Sequence, residues 1–343
     1  MNHNDFFEAI KAGTLGGVYL LEGPEEYIKD QAVARLCQRL LPAGLEAMNR
    51  TELQNPDADA LAAAAETLPF MAERRVVLVR DSELLVSGKK ADDTRQEGIL
   101  AYLENPAPST CLVFTVKGKA DARKKLYLNL KKAGAIVDFS PLGEAEAAQW
   151  AVRTLRALGK RMDLSTAQKL TFTVGRDAAL LRQEMEKLAA YVGEREAVTD
   201  EDIDAVCVRS LECSVFQMVE AQAGGRTQDA CTLLSAVLEG GEDRFMVLAL
   251  LLRQYRILYH MRRLMAEHAP QGELGSLLGI PPFAVARTQA QARRYPVERL
   301  REAYDYLYEL EFALKSGRMP QEGSAEAALF RLDDILNRPE SGK

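Results

Sequence analysis

The residues that come nearest to a chemical site lie at positions 23–30, which read GPEEYIKD. They follow a compact apolar run at residues 18–21, where a phosphate-binding loop follows the first strand of a nucleotide-binding fold. Such a loop has the pattern GxxxxGKS/T. Its glycines let backbone N–H groups surround the phosphates, its lysine supplies charge, and its hydroxyl residue binds Mg²⁺. Gly23 and Lys29 match the first glycine and the lysine.

The remaining positions of this segment argue against bound nucleotide. Ile28 stands at the second glycine, and its β-branched side chain resists the open backbone conformations that a phosphate cradle needs. Asp30 replaces the hydroxyl residue, and Pro24 removes one N–H donor. Glutamates at positions 25–26 place negative charge where a triphosphate would lie, and Lys29 alone does not offset it. We therefore expect a degenerate phosphate loop that binds no nucleotide.

The acids that hold Mg²⁺ in an ATPase are also incomplete. A second apolar run, residues 76–79, is followed by Arg80 and a single Asp81 instead of paired acids. Ordinary surface charge is therefore the favoured interpretation of Lys29 and Asp81. An ATPase with a divergent nucleotide site is the alternative hypothesis.

A basic segment is the second candidate for chemistry. Residues 117–132 contain seven lysines and arginines but only one acid, Asp121. Such a segment can follow a DNA backbone, although a solvated helix face or a subunit contact is the more frequent role. The possible DNA-facing residues are Lys117, Lys119, Arg123, Lys124 and Lys125.

The sequence shows no spacing typical of metal ligands or disulfide partners. Its three histidines lack HxxxH or HExxH spacing, and its five dispersed cysteines include no CxxC pair. Structural zinc sites and redox-active thiols need such spacings, whereas scattered cysteines are typical of buried thiols in a reducing compartment. We therefore expect no metal, no cofactor and no catalytic residue.

Charge and hydropathy exclude further classes of function. The 343 residues carry a formal net charge of −6, which argues against wrapping nucleic acid through bulk charge. The first residues lack the basic and apolar segments of a signal peptide. The longest apolar stretch, residues 245–252, is far shorter than the ~20 residues of a membrane span. We expect a cytoplasmic protein without membrane contact.

The elements that must position these residues change character near residue 142. Before it, continuous apolar runs alternate with segments of helical length, which is typical of buried parallel strands joined by crossover helices. This pattern predicts a parallel three-layer α/β domain over residues 1–142. The predicted strands are residues 18–21, 76–79, 111–116, 135–139 and, more weakly, 47–53, and the predicted helices are residues 26–41, 57–67 and 120–133.

From residue 143 onward the sequence predicts helices only. Residues 143–210 have the length of one small helical domain, in which Ser165 and Thr199 are candidate N-caps. Longer amphipathic helices follow over residues 211–338, which is enough chain for an oligomerisation domain. The predicted fold class is therefore α/β plus all-α.

Six short segments are informative through their order and spacing. They read VYLLEGPEEY (18–27), ETLPFMAERRVVLVR (66–80), YLENP (102–106), VGRD (174–177), LRQEMEKL (181–188) and LKSG (314–317). Together with the degenerate phosphate loop, they make the chain resemble the bacterial DNA polymerase III delta subunit family, a clamp-loader component. The resemblance extends over nearly the whole chain.

This resemblance implies an AAA+-type fold with a RecA-like domain (1–142), a helical lid (143–210) and a helical collar (211–338). In the family, the collar joins a circular pentamer with the motor (gamma/tau) and delta-prime subunits. The implied function is to bind the sliding clamp (the beta subunit) and open it for loading on primer-template DNA, without ATP hydrolysis by this chain. An AAA+ ATPase and a DNA-binding module acting alone remain the alternatives.

Residues 68–71, which read LPFM, are the segment that would contact the clamp. Pro69 ends the preceding helix and biases Leu68 toward an extended conformation. Burial of Phe70 or Met71 is worth roughly 1.5–3 kcal/mol each, yet from the residues alone the pair could equally pack inside its own domain. The resemblance implies that Phe70 and Met71 match the family's hydrophobic plug, with Leu68 and Pro69 in the same segment. We expect Leu68 itself to be a core residue.

Overall fold

The computed structural model describes residues 1–88 and 93–338. The chain divides into two compact units, of which the first comprises Met1–Leu142 and the second begins at Gly143. Each unit encloses its own cluster of buried apolar side chains.

The first unit is built on a five-stranded parallel sheet with the strand order β2-β3-β4-β1-β5. The inner strands are buried on both faces, which explains why they appear in the sequence as unbroken apolar runs. All five predicted strands are confirmed, including the weak candidate at residues 47–53, which forms a strand at Arg50–Gln54. The strands are β1 Val18–Glu22, β2 Arg50–Gln54, β3 Arg75–Arg80, β4 Thr110–Thr115 and β5 Ile136–Asp138.

Helices cover both faces of this sheet. Side chains alternate along β1, so that Tyr19 meets Phe6 of the first helix, with ring centroids 4.9 Å apart, while its neighbour Leu20 joins the cluster that contains Leu61 and Leu126. The helices of this unit are α1 His3–Ala12, α2 Glu26–Leu40, α3 Glu46–Asn49, α4 Ala58–Glu66, α5 Asp93–Glu104 and α6 Lys125–Lys132.

The second unit is built from helices that are joined by loops. Its helices are α7 Glu144–Ala157, α8 Leu164–Val174, α9 Ala178–Tyr191, α10 Asp200–Val206, α11 Leu211–Ala223, α12 Thr227–Glu239, α13 Arg244–Ala266, α14 Leu274–Leu278, α15 Pro282–Arg293, α16 Val297–Lys315 and α17 Ser324–Asn337. The predicted fold class is thus confirmed, whereas the finer division at residues 210 and 211 stays a prediction.

One of the two predicted N-caps in this unit is wrong. Thr199 does cap α10, but Ser165 lies inside α8, whose N-cap is Asp163. The Asp163 carboxylate accepts the Thr166 N–H at 2.8 Å and also the Ser165 hydroxyl at 2.8 Å. An ionised carboxylate two residues earlier is the stronger acceptor for the free N–H groups of the helix.

A buried polar network fixes the core of the second unit. The Tyr255 hydroxyl donates to Oε1 of Gln222 at 2.8 Å, and Nε2 of Gln222 donates to the carbonyl of Leu329 at 3.0 Å. The Tyr295 hydroxyl donates to the backbone carbonyl of Gln222 at 3.1 Å. Because the Gln222 amide is satisfied at both ends, its burial costs little and specifies how α11, α13 and α17 pack.

Across residues 1–88 and 93–338, none of the helices has both the length and the apolar composition needed to cross a lipid bilayer.

Candidate functional site

The segment between α4 and β3 presents apolar side chains to solvent. We call residues 68–71 the apolar loop. Within it, Leu68 is 80% exposed, Phe70 49% and Met71 78%, and Pro69 is partly buried. Large apolar side chains exposed together on one short loop are typical of surfaces that a partner covers.

The prediction that Leu68 is a core residue is wrong. Leu61 and Ala65 form the buried face of α4, and Leu68 would continue that face only if the helix extended past it. The helix ends at Thr67, whose ψ of 127° sends the chain into an extended path. Pro69 enforces this change of direction, so the Leu68 side chain projects into solvent.

The side chain of Asn49 holds the middle of the apolar loop. Asn49 is the last residue of α3 and is completely buried. Its Oδ1 accepts the Phe70 N–H at 2.7 Å, while its Nδ2 donates to the Phe70 carbonyl at 2.9 Å and to the Leu45 carbonyl at 3.1 Å. Both backbone polar groups of Phe70 are therefore satisfied by one carboxamide.

Two arginines hold the ends of the same loop. The Arg75 guanidinium is buried and donates to the carbonyl of Thr67 at 3.1 Å and to the hydroxyl of Thr51 at 2.7 Å. Desolvation lowers the pKa of Arg75 from its usual value. Arg74 donates to the carbonyls of Leu15 and Gly16 at 3.2 and 3.1 Å. The apolar side chains thus project from a backbone that is tied down before, within and after the loop.

Met71 has a left-handed backbone conformation, with a φ of 47°. This conformation costs an L-residue of order 1–3 kcal/mol, and it persists only where the surrounding structure enforces it. The bonds at Phe70, Arg74 and Arg75 supply that enforcement on both sides of Met71. The strained residue is also one of the most exposed apolar residues of the chain.

The degenerate phosphate loop joins β1 to α2, and there the structure corrects the interpretation of Lys29 as surface charge. Lys29 is buried, and its Nζ donates to the carbonyl of Val116 and to Oε1 of Glu26, both at 2.6 Å. The ammonium group therefore binds the protein's own carbonyl oxygen and carboxylate. Asp30, by contrast, is at the surface and pairs with Arg80 at 2.7 Å.

Backbone N–H groups of the same turn are bonded within the chain. The N–H of Gly23 donates to the Gly118 carbonyl at 2.6 Å, and that of Glu25 donates to the Phe139 carbonyl at 3.1 Å. The N–H of Glu26 donates to the Pro24 carbonyl at 2.9 Å. A phosphate cradle needs these donors to point at the ligand. Here two of them bind carbonyl oxygens of other segments, and the third binds a carbonyl oxygen within the turn.

Three of the seven cations of the basic segment pair with acids of their own unit. Lys117 approaches Asp81 at 3.5 Å, Lys119 binds Asp138 at 2.6 Å, and Arg123 binds Asp121 at 2.9 Å. Partial burial would lower the pKa of Lys119, but hydrogen bonds and charge from Asp138 and Glu22 raise it above its usual value. The other two residues, Lys124 and Lys125, lie at the start of α6.

Metal and thiol chemistry find little support in the described residues. Among residues 1–88 and 93–338 there is no group of three or more His, Cys, Asp or Glu side chains that could hold a metal ion. All five thiols are unpaired, and desolvation raises the pKa of Cys111 to about 12. Such a thiol is almost entirely protonated at neutral pH and is a poor nucleophile.

Comparison with known proteins bears on both units. Residues 19–140 match the family described as DNA polymerase III, delta subunit, and residues 212–332 match DNA polymerase III delta subunit, C-terminal domain. The chain belongs to the DNA polymerase III delta subunit family. A curated relative, DNA polymerase III subunit delta of Bacillus subtilis (strain 168), is 27% identical over 333 residues, which cover 96% of each chain.

A solved structure agrees with this assignment. The Bacillus subtilis DNA clamp loader delta protein aligns over 97% of this chain and 99% of its own, at 26% identity and a TM-score of 0.53. The family predicted from the sequence is thus confirmed. The general role that follows is that of a clamp-loader subunit of DNA polymerase III in DNA replication.

Sequence reasoning found the apolar loop but missed the residues that hold it. Asn49 falls inside a segment predicted as a weak strand, where nothing distinguished it from an exposed polar residue. The one hint of burial was that Asn49 lies in a stretch whose other residues are half apolar. If Asn49 is buried, its carboxamide needs hydrogen-bond partners. Arg74 and Arg75 appeared only as part of a matching segment, without a structural role.

Proposed function

We propose that this chain binds the sliding clamp (the beta subunit) through the apolar loop and opens the ring for loading on primed DNA. The observation that carries the proposal is the exposure of Leu68, Phe70 and Met71 on a loop whose backbone is held by buried polar side chains. Each large apolar side chain gains roughly 1.5–3 kcal/mol when a partner's groove buries it. Little of that gain is lost to ordering the backbone, because the loop is already fixed.

Ring opening of this kind needs no covalent chemistry from the chain. A closed ring is in equilibrium with an open form, and a ligand shifts that equilibrium only as far as it binds the open form more tightly. The apolar loop supplies such a ligand if its groove on the clamp changes shape when the ring opens. The chain itself is then non-catalytic, and ATP hydrolysis belongs to the motor (gamma/tau) subunits.

The absence of ATP hydrolysis by this chain is supported by the turn between β1 and α2. Lys29 and the N–H groups of Gly23 and Glu25 are bonded to carbonyl oxygens of the chain. A nucleotide would have to break these bonds and displace the segments that carry the acceptors. This arrangement disfavours the alternative of an AAA+ ATPase with a divergent site.

The remaining partners in the proposal are those of the assembled loader. The helical collar, residues 211–338, joins the motor and delta-prime subunits, and primer-template DNA passes through the assembly. Pairing of Lys117, Lys119 and Arg123 with acids of their own unit supports a structural role for these three side chains. The formal net charge of −6 also disfavours a DNA-binding module that acts alone.

The test of clamp binding is a double substitution, Phe70→Ala with Met71→Ala. We expect affinity for the sliding clamp of the same organism to fall by about a hundredfold or more, since two buried side chains are removed from the contact. Isothermal titration calorimetry with purified clamp measures this, and circular dichroism checks that the fold is intact. Leu128→Ala is the matched control, because Leu128 is also exposed in the first unit but lies on α6. Wild-type affinity in a folded double variant would refute the proposal.

Equilibrium titration with fluorescent ATP separates the proposal from the ATPase alternative. We expect no saturable binding by the purified chain at nucleotide concentrations up to about 1 mM, the upper range of ordinary enzyme affinities. Saturable binding that disappears on Lys29→Met would favour the ATPase, because that substitution keeps the side-chain length and removes the charge.

A further inference from the structure

Asn49 is a fully buried polar residue whose hydrogen bonds all go to backbone groups of the surrounding loops. Two of the three join it to Phe70, and the third ties it to Leu45 at the start of its own short helix. A carboxamide paired to both the N–H and the C=O of one residue imitates a rung of a β-sheet. It fixes the position and the orientation of that peptide.

Within the apolar loop, the hydrogen bonds of Asn49 go to Phe70, the residue that carries the aromatic ring. Phe70 is half-exposed, yet its backbone is held from the buried side by Asn49. The next residue, Met71, has a left-handed φ of 47°, so the chain turns sharply directly after the clamped peptide. If the Phe70 peptide were released, Met71 could relax to an ordinary conformation, and both side chains would lose their common direction.

We infer that Asn49 is a positioning residue that holds Phe70 and Met71 in the conformation that a partner groove accepts. The inference rests on the proposed function, because it assigns Asn49 a role in that same contact without touching the partner. A binding side chain that is fixed in advance loses less conformational freedom on association, so that Asn49 acts on affinity through preorganisation.

The first test needs no substitution at position 49. Selective ¹⁵N-phenylalanine labelling gives 11 backbone amide signals for the 11 phenylalanines, and the variant Phe70→Leu assigns the signal of Phe70. We expect the Phe70 N–H of the wild-type chain to exchange with solvent at least about tenfold more slowly than an unstructured amide, because Asn49 accepts it. Exchange at the rate of a free peptide would overturn the inference.

The second test is Asn49→Leu, which is close in size and removes all three hydrogen bonds. We expect clamp affinity to fall about tenfold, which corresponds to ~1.4 kcal/mol, and the Phe70 N–H to exchange faster. A folded Asn49→Leu protein with wild-type clamp affinity and unchanged Phe70 exchange would overturn the inference.

A matched control separates positioning from stability. Thr110 is also buried in the first unit, and its hydroxyl donates to the Ala65 carbonyl of α4 at 2.6 Å. Thr110→Val therefore removes a buried hydrogen bond from the helix that leads into the apolar loop, without touching the loop. We expect it to lower the thermal unfolding temperature but to leave clamp affinity and Phe70 exchange unchanged. A loss of affinity equal to that of Asn49→Leu would reduce Asn49 to a general structural role and overturn the inference.

The two proposals fail in different ways. If Phe70→Ala with Met71→Ala leaves clamp affinity unchanged, the proposed function is wrong, and the exchange measurement still reports whether Asn49 fixes Phe70. If that double variant loses affinity while Asn49→Leu does not, only the positioning role is wrong.

Discussion

At the scale of single residues, Gly23 shows how closely the chain approaches itself where β1 ends. Gly23 has a φ of 120°, which side chains rarely allow. A Cβ at this position would lie 2.2 Å from the carbonyl oxygen of Phe139. The Gly23 N–H meanwhile donates to the carbonyl of Gly118 on another segment. Gly23 is thus confined between the backbone at Phe139 and the backbone at Gly118.

Gly23→Ala is therefore expected to be strongly destabilising. The free energy of unfolding should fall by about 3 kcal/mol or more, since the substitution combines backbone strain with a clash against main-chain atoms. Urea denaturation followed by circular dichroism measures the change. Gly134→Ala is the control, because Gly134 also has a positive φ but faces open space, and it should cost only about 1–2 kcal/mol. If the two variants lose the same free energy of unfolding, the close approach of Gly23 to Phe139 does not contribute to the effect.

At the scale of elements, the start of α10 depends on one acid that serves two partners. The Asp202 carboxylate accepts the N–H of Thr199 at 2.9 Å, and it binds the Arg195 guanidinium at 2.8 and 3.2 Å. The Arg195 side chain is the largest cause that lowers the pKa of Asp202, although burial opposes it, and the Thr199 bonds add to the effect. The ionised form is thus favoured by folding.

This pKa shift predicts how the contribution of Asp202 to stability depends on pH. Because the pKa is lower in the folded than in the unfolded chain, the stabilisation is fully present above about pH 4, the ordinary pKa of aspartate. It is lost as the pH falls through the lowered folded value. We expect wild type to exceed Asp202→Asn in unfolding free energy at pH 6 and the difference to shrink below pH 4. Urea unfolding from pH 7 to pH 3 measures it, and a difference independent of pH would contradict the prediction.

The elements also show what sequence patterns can and cannot reveal. Strands buried on both faces leave continuous apolar runs, so the sheet could be predicted. Helix α5 is not among the predicted helices. A Cβ at Gly98, in the interior of this helix, would lie 2.4 Å from the Cβ of Ala58 on α4. The glycine permits close helix packing there. Neither this contact nor the hydrogen bonds from Asn49 to Phe70 could be predicted, because they join residues distant in sequence.

The candidate site was predictable to a similar extent. The resemblance to the delta subunit family singled out Phe70 and Met71, whereas the residues alone left open whether the pair packs inside its own domain. The degenerate phosphate loop was evident from single positions. The burial of Lys29 could not be predicted, because its acceptor, the Val116 carbonyl, belongs to a segment 87 residues away. The end of α4 before Pro69 was predicted, but the exposure of Leu68 was not, because it depends on the extended backbone that begins at Thr67.

At the scale of the whole molecule, each unit has its own hydrophobic core. In the first unit, Leu20, Val77 and Phe114 of the sheet pack with Leu61 and Leu126 of the helices. In the second, the core lies among α11, α13, α16 and α17. The bonds that hold the apolar loop all join residues of the first unit. A unit with a separate core and internally satisfied loops has what it needs to fold by itself.

Residues 1–142 alone are therefore expected to fold cooperatively and to bind the clamp with the affinity of the full chain, within about threefold. Thermal unfolding followed by circular dichroism reports the first property, and calorimetry with purified clamp reports the second. A fragment that folds but binds weakly would place part of the contact in the second unit. A fragment that stays unfolded would contradict the expectation that the first unit folds without the second.

The carbonyl oxygens around Lys29 and Gly23 also limit protein engineering. We expect that replacing residues 23–30 by a complete GxxxxGKS/T sequence would not turn the chain into an ATPase. The acceptors at Val116, Gly118 and Phe139 already bind the donors that such a graft must free. The path from β4 to α6 would have to be rebuilt at the same time. A nucleotide site in this turn would thus require a different backbone path, and no exchange of side chains within the loop would create it.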